Sequence, residues 1–211
     1  MRWIAEMILI AVFITACKPN LLVSFSASAA TPIAPGADSS LERSAMGIVS
    51  TKTAALEVTP LPTGPHAPLI NNTVWLNTNP LTPDQLNGRV VLIDFWTFDC
   101  INCVQTIPAV RQLYQQYRDR GLIVIGVHSP EFQHERDLNN VKDAVARLGV
   151  PYPVALDNDF ATWNAFGNHY WPAIYLIDKR GIIRFSSIGE LHQNTAAWSE
   201  VTDLIETLLR E

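Results

Sequence analysis

The stretch from Asp94 to Pro108, D-F-W-T-F-D-C-I-N-C-V-Q-T-I-P, follows the apolar run Val90–Ile93, and its reading decides the fold. An apolar run of this length predicts a buried strand. Beyond it Val104, Ile107, Val110, Leu113, Tyr114 and Tyr117 recur at helical spacing, with a stop near Gly121. The strand therefore delivers two thiols to the first turn of a helix. Cys100 and Cys103 are three residues apart, so they share one helix face and meet the Cα separation a disulfide needs. The pair can open and close with little backbone movement. At the helix start, unpaired N–H groups and the positive end of the helix dipole favour a negatively charged sulfur. Cys100 is thus the expected nucleophile and Cys103 its resolving partner.

Working outward, Val74–Leu76 reads as a short strand, and Pro80, Pro83 and Asn87-Gly88 punctuate a loop ahead of the central strand. Downstream, Leu122–Val127 is a second apolar strand. A helix is expected from about Glu131 to Leu148, with Leu138, Val141, Val145 and Leu148 on one stripe. A short strand at Val154–Leu156 and a helix over Phe160–Phe166 follow. Ala173–Ile177 and Ile182–Ser186 flank Asp178-Lys179-Arg180-Gly181, a hairpin with turn chemistry. Trp198, Val201, Leu204, Ile205, Leu208 and Leu209 make a closing amphipathic helix. Strands alternating with helices and ending on a hairpin predict an α/β fold, a central mixed sheet with helices on both faces.

Composition limits the function classes. The 211 residues are 48% hydrophobic and 17% charged, enough to fill one core, and the formal net charge of −5 leaves no basic footprint. Nucleic acid is not an expected partner. Residues 1–30 read as a signal peptide or lipoprotein leader: Arg2 precedes an apolar stretch, Ile4–Ala16, too short to span a bilayer. Ile14-Thr15-Ala16-Cys17 resembles a lipobox, which would make Cys17 a lipid anchor. A later cut within Ser26–Ala30 would instead release a soluble protein. Residues 31–65, rich in Ala, Ser, Thr, Pro and Gly, have a tether composition. The chemistry is expected in residues 66–211, in an extracytoplasmic setting. No phosphate-cradling Gly-rich loop opens any of the helices, so no bound cofactor is expected.

A Cys-x-x-Cys that follows a strand and opens a helix resembles thioredoxin. The run F-W-T-F-D-C-I-N-C, then V-I-G-V-H-S-P-E-F, D-N-D-F and Y-W-P-A-I-Y-L-I-D is similar to the extracytoplasmic thioredoxin-like domain of DipZ-type proteins, within the TlpA/ResA-like redoxins. The resemblance covers roughly residues 70 to 192. It implies a thioredoxin fold and thiol–disulfide exchange on protein substrates with disulfides. It also implies electrons supplied by a membrane protein of the DipZ/CcdA type. By the same resemblance, Asp94 matches a buried aspartate whose raised pKa would let it exchange a proton with Cys103. Pro172 would be a cis-proline beside the disulfide, leaving a backbone edge for an extended substrate. Trp96 and Trp171 would flank the site as exposed apolar surface for a partner, with ordinary core packing as the other reading. Pro108 matches a helix kink. Glu131 could be an acidic residue near the cysteines, or a helix N-terminal carboxylate favoured by the dipole.

Other chemistries are weighed on the same residues. Thr97-x-x-Cys100 is a fragment of the peroxiredoxin pattern, but Asp94 stands where that pattern has proline. A copper chaperone with a thioredoxin fold could use both cysteines and His128, His134 or His169, although such chaperones usually space their cysteines by three residues. A purely structural disulfide across so short a loop would restrain the unfolded chain little. The expected function is an exported thiol–disulfide oxidoreductase, in the reducing direction.

Overall fold

The computed structural model describes residues 64–211. The leader and Cys17 lie outside the described residues, as does nearly all of the tether. The chain runs β1 (Trp75–Leu76), α1 (Pro83–Leu86), β2 (Val90–Trp96), α2 (Ile101–Tyr117), β3 (Leu122–His128), α3 (Leu138–Leu148), β4 (Val154–Leu156), α4 (Ala161–Ala165), β5 (Ala173–Ile177), β6 (Ile183–Ile188) and α5 (Ala196–Arg210). Six strands form one mixed sheet in the order β1-β4-β3-β2-β5-β6. β2 pairs parallel with β3 and antiparallel with β5, so Asp94 lies opposite Gly126 on one side and Ile174 on the other. All seven residues of β2 are buried. This is the thioredoxin-like α/β fold.

Because side chains alternate along a strand, β2 serves two cores. Leu92 and Trp96 face the cluster made with Cys103, Ile107, Val110 and Leu113 of α2, Val141 and Val145 of α3, and Val201 and Ile205 of α5. Val91, Ile93 and Phe95 face the other cluster, with Trp163 of α4 and Leu86 of α1. Helices thus cover both faces, as the alternation of segments predicts. Asp94 shares its parity with Leu92 and Trp96, and so points to the α2 side.

The structure alters several boundaries. The segment from Glu131 to Leu148 is not one helix: a 3-10 turn, Gln133–Arg136, precedes α3. Asp137 separates them, because its carboxylate accepts from Asn139 N at 2.7 Å and Asn140 N at 3.3 Å and so caps α3. α1 occupies part of what reads as a punctuated loop. Pro83 sits at its first position and the Thr82 N–H donates to Gln85 at 2.8 Å. β6 begins one residue later and runs two residues further than expected.

Gly126 shows what the sheet needs beside the site. A Cβ there would lie 2.8 Å from Trp96 Nε1 and 3.1 Å from Tyr152 Cε2, and both side chains are fully buried. Gly126→Ala is therefore expected to destabilise the protein by about 1–3 kcal/mol, read by urea unfolding.

Candidate active site

Cys100 is the N-cap residue of α2, and its Sγ accepts from the Cys103 N–H at 3.3 Å. The extended backbone at Cys100 ends the strand-to-helix connection, so the sulfur sits over the free N–H groups of the first turn. Cys100 is half-buried and Cys103 only 1% exposed, and both thiols are free. Burial, followed by the hydrogen bond with Cys100, pushes the Cys103 thiol far above its ordinary range, while the Thr97 backbone pulls it down. One sulfur is reachable and the other is held back.

Beneath them lies Asp94, 1% exposed. Its Oδ2 accepts from Tyr152 Oη at 3.4 Å, and its Oδ1 has no hydrogen-bond partner among the described residues. A carboxylate so poorly solvated is disfavoured. Desolvation raises its pKa from 3.8 to about 7, against the opposing Tyr152 hydrogen bond. The Asp94 charge also pushes the Cys103 thiol upward, so the two groups compete for one negative charge. An acid poised near neutrality beside a thiol that must lose its proton is suited to general base work.

The Trp171–Pro172 peptide is cis, and the Pro172 carbonyl accepts from Gly189 N at 2.9 Å. Trp171 is half-buried: its ring lies 4.3 Å from that of Trp163, and its Nε1 donates to the Ser129 carbonyl at 3.1 Å. Packing thus accounts for most of this side chain. Trp96 departs from expectation, because it is 0% exposed and presents no surface to a partner. Its parity on β2 turns it under α2. Exposed apolar surface comes instead from Ile101, Phe132, Tyr170 and Ile188. Of these, Ile101 lies between the cysteines, Tyr170 just before the cis-proline, and Ile188 opposite Ala173.

Glu131 lies in the turn after β3. Its side chain is exposed, and the buried acid of this segment is Glu135, 0% exposed. Glu135 Oε2 accepts from the N–H groups of Glu131 and Phe132, both at 2.7 Å. Its Oε1 accepts from the Thr97 hydroxyl and from Asp99 N at 3.1 Å. Glu135 reaches back to the first N–H of its own turn as a capping glutamate does, but Phe132 stands where the capping signature has Ser or Thr, so sequence carries no signal for it. Another buried carboxylate, Asp157, explains the D-N-D-F motif. It accepts from Thr162 N and Trp163 N at 2.9 Å and from Ser129 Oγ at 3.1 Å, tying α4 to the end of β3.

Two of the candidate histidines have other partners. His128 is fully buried, with Nε2 3.4 Å from Thr97 Oγ1, and desolvation lowers its pKa to about 4. His134 Nε2 pairs with Asp99 Oδ2 at 2.5 Å. Among the described residues, no group of three or more His, Cys, Asp or Glu side chains is placed to hold a metal. The Thr97 hydroxyl, shared with the peroxiredoxin pattern, is held by Glu135.

Fold and site together define a thioredoxin-like protein with a Cys-x-x-Cys helix start. The chain belongs to the AhpC/TSA family, whose pattern matches residues 64–186. It is 48% identical over 142 residues to protein DipZ of Mycobacterium tuberculosis, a match covering 66% of this chain and 19% of that protein. It is 34% identical over 126 residues to the thiol-disulfide oxidoreductase YkuV of Bacillus subtilis, covering 59% of this chain and 84% of YkuV. Among solved structures, a thioredoxin-like protein in its oxidized form superposes with a TM-score of 0.59. That match is 30% identical and covers 70% of this chain and 96% of the other.

Proposed function

We propose that this protein is a thiol–disulfide oxidoreductase working through Cys100 and Cys103, and that it reduces disulfides of extracytoplasmic proteins. The observation that carries this reading is the pairing of a reachable Cys100 sulfur on the Cys103 N–H with a sequestered Cys103 thiol above Asp94. Cys100 thiolate attacks one sulfur of a substrate disulfide, and that S–S bond breaks as the mixed disulfide forms. The departing substrate thiolate takes up a proton. Cys103 then gives its proton to Asp94 and attacks Cys100 Sγ, expelling the second substrate thiol. Two electrons pass to the substrate, and Cys100–Cys103 is left oxidised. A membrane protein of the DipZ/CcdA type would return the electrons. The likeness to DipZ supports a place in such a redox pathway.

The residues that would meet the substrate are Trp171, the cis-Pro172 and the exposed Ile101 and Tyr170. An apolar rim suits an unfolded or extended segment carrying the disulfide. A leader within residues 1–30, cut before Cys17 to leave a lipid anchor or within Ser26–Ala30 to release the protein, and a tether over 31–65 complete the proposal.

The test is the reduction potential of the pair in the full chain, equilibrated against dithiothreitol or glutathione and read by thiol labelling. A reductase is expected near or below roughly −270 mV, and a value near roughly −120 mV would overturn the direction. A pair that does not cycle would overturn the mechanism.

A further inference from the structure

Glu135 is a charged side chain with no exposure in a turn whose other members, Phe132, Gln133 and His134, face solvent. Burying a carboxylate is costly unless its oxygens are met by donors, and here four donors converge on it. The division between its oxygens is informative. Oε2 serves only its own turn, through Glu131 N and Phe132 N, whereas Oε1 serves only the loop leading to the cysteines, through the Thr97 hydroxyl and Asp99 N.

That loop runs straight into the pair. Asp99 directly precedes Cys100, and the Thr97 backbone pulls the Cys103 thiol down against its burial. Further contacts brace the same three residues. Thr97 Oγ1 also faces His128 Nε2 at 3.4 Å, the Phe98 ring stacks on the His128 ring at 5.6 Å, and the Asp99 carboxylate pairs with His134 at 2.5 Å. Every brace arrives from the end of β3 or the turn after it.

We propose that Glu135 is a positioning residue for the cysteine pair: through Oε1 it fixes Thr97 and Asp99, and so holds the loop that seats Cys100 at the start of α2 with its sulfur on the Cys103 N–H. This rests on the proposed use of Cys100 as nucleophile, but its readout does not need the pair to turn over.

Glu135→Gln separates the two halves of the role. The amide oxygen can keep the Glu131 and Phe132 N–H groups. The amide NH2 then faces the Asp99 N–H, donor against donor, and the loop is released while the turn survives. Thr97→Val removes only the hydroxyl arm with little change of shape. The experiment follows the rate of Cys100 alkylation by iodoacetamide against pH in the full chain, with peptide mapping to separate Cys17 and Cys103, and urea unfolding alongside.

The alkylation midpoint of Glu135→Gln is expected to rise by about one pH unit, with a roughly tenfold slower rate at neutral pH. Thr97→Val is expected to move it less, and the double variant no further than Glu135→Gln alone, because both act through one contact. A midpoint that falls would show Glu135 acting as a bare negative charge, and would overturn the proposal. An unchanged midpoint in a folded Glu135→Gln protein would do the same. Should Glu135→Gln fail to fold, Thr97→Val decides alone: a raised midpoint supports the positioning role and an unchanged one rejects it. If the wild type alkylates normally but its pair never cycles, the functional reading fails and this inference is still answered.

Discussion

Asp94→Asn is expected to stabilise the protein at pH 8 and to slow the second half of the reaction. The folded protein holds the Asp94 proton up to about pH 7, whereas the unfolded chain releases it near the ordinary value of 3.8. Between those values the folded state carries more protons, so stability falls as pH rises through the window and stays lowered above it. Asparagine has no such proton to lose. The gain should approach roughly 4 kcal/mol at pH 8 as an upper bound and vanish near pH 4. His128 works in the opposite sense. Its folded pKa of about 4 lies below the ordinary 6.5, so it contributes stability that is present above pH 6.5 and lost as pH falls toward 4. In the wild type these slopes oppose each other. In Asp94→Asn the His128 slope stands alone, and stability should climb from pH 4 to pH 6.5 in urea unfolding. An offset from wild type that is the same at every pH would contradict the burial argument. The catalytic cost follows from the same burial: without a base beneath Cys103, resolution of the mixed disulfide should slow by roughly 10²-fold.

The larger effect is expected from the cysteines themselves. Cys103→Ser should accumulate mixed disulfides with substrate proteins, because Cys100 can still attack while nothing inside the protein displaces the adduct. Cys100→Ser should trap none and lose turnover, because Cys103 is 1% exposed and a bulky disulfide cannot reach it. Non-reducing electrophoresis after acid quenching separates the two. Adducts on Cys100→Ser and none on Cys103→Ser would reverse the assignment of nucleophile.

Much of the site is legible in sequence because it depends on local order. Cys100 and Cys103 need only a strand end and a helix start. The burial of Asp94 follows from its place in an apolar strand, and its role beside Cys103 from the resemblance to thioredoxin. What escaped depends on which way chains turn in three dimensions. Trp96 reads as site surface from its position near Cys100, yet its parity with Leu92 and Asp94 sends it under α2. Glu131 reads as the acid because it comes first after the β3 end. The turn at Gln133–Arg136 instead buries Glu135 and leaves Glu131 to contribute a backbone N–H. The apolar stripe begins only at Leu138, so it marks α3 but says nothing of residues 131–137, where the 3-10 turn lies before the Asp137 cap. α1 was hidden because a single turn has no period to recognise.

On the proposed mechanism Cys100 and Cys103 form one reversible disulfide. Its most direct test is mass-resolved thiol labelling of the full chain, oxidised by a disulfide and then reduced with dithiothreitol. Labels on Cys100 and Cys103 should be lost together and regained together, with a peptide linking the two in the oxidised sample. Loss of the Cys100 label alone, or an oxidised product joined through any other residue, would contradict it.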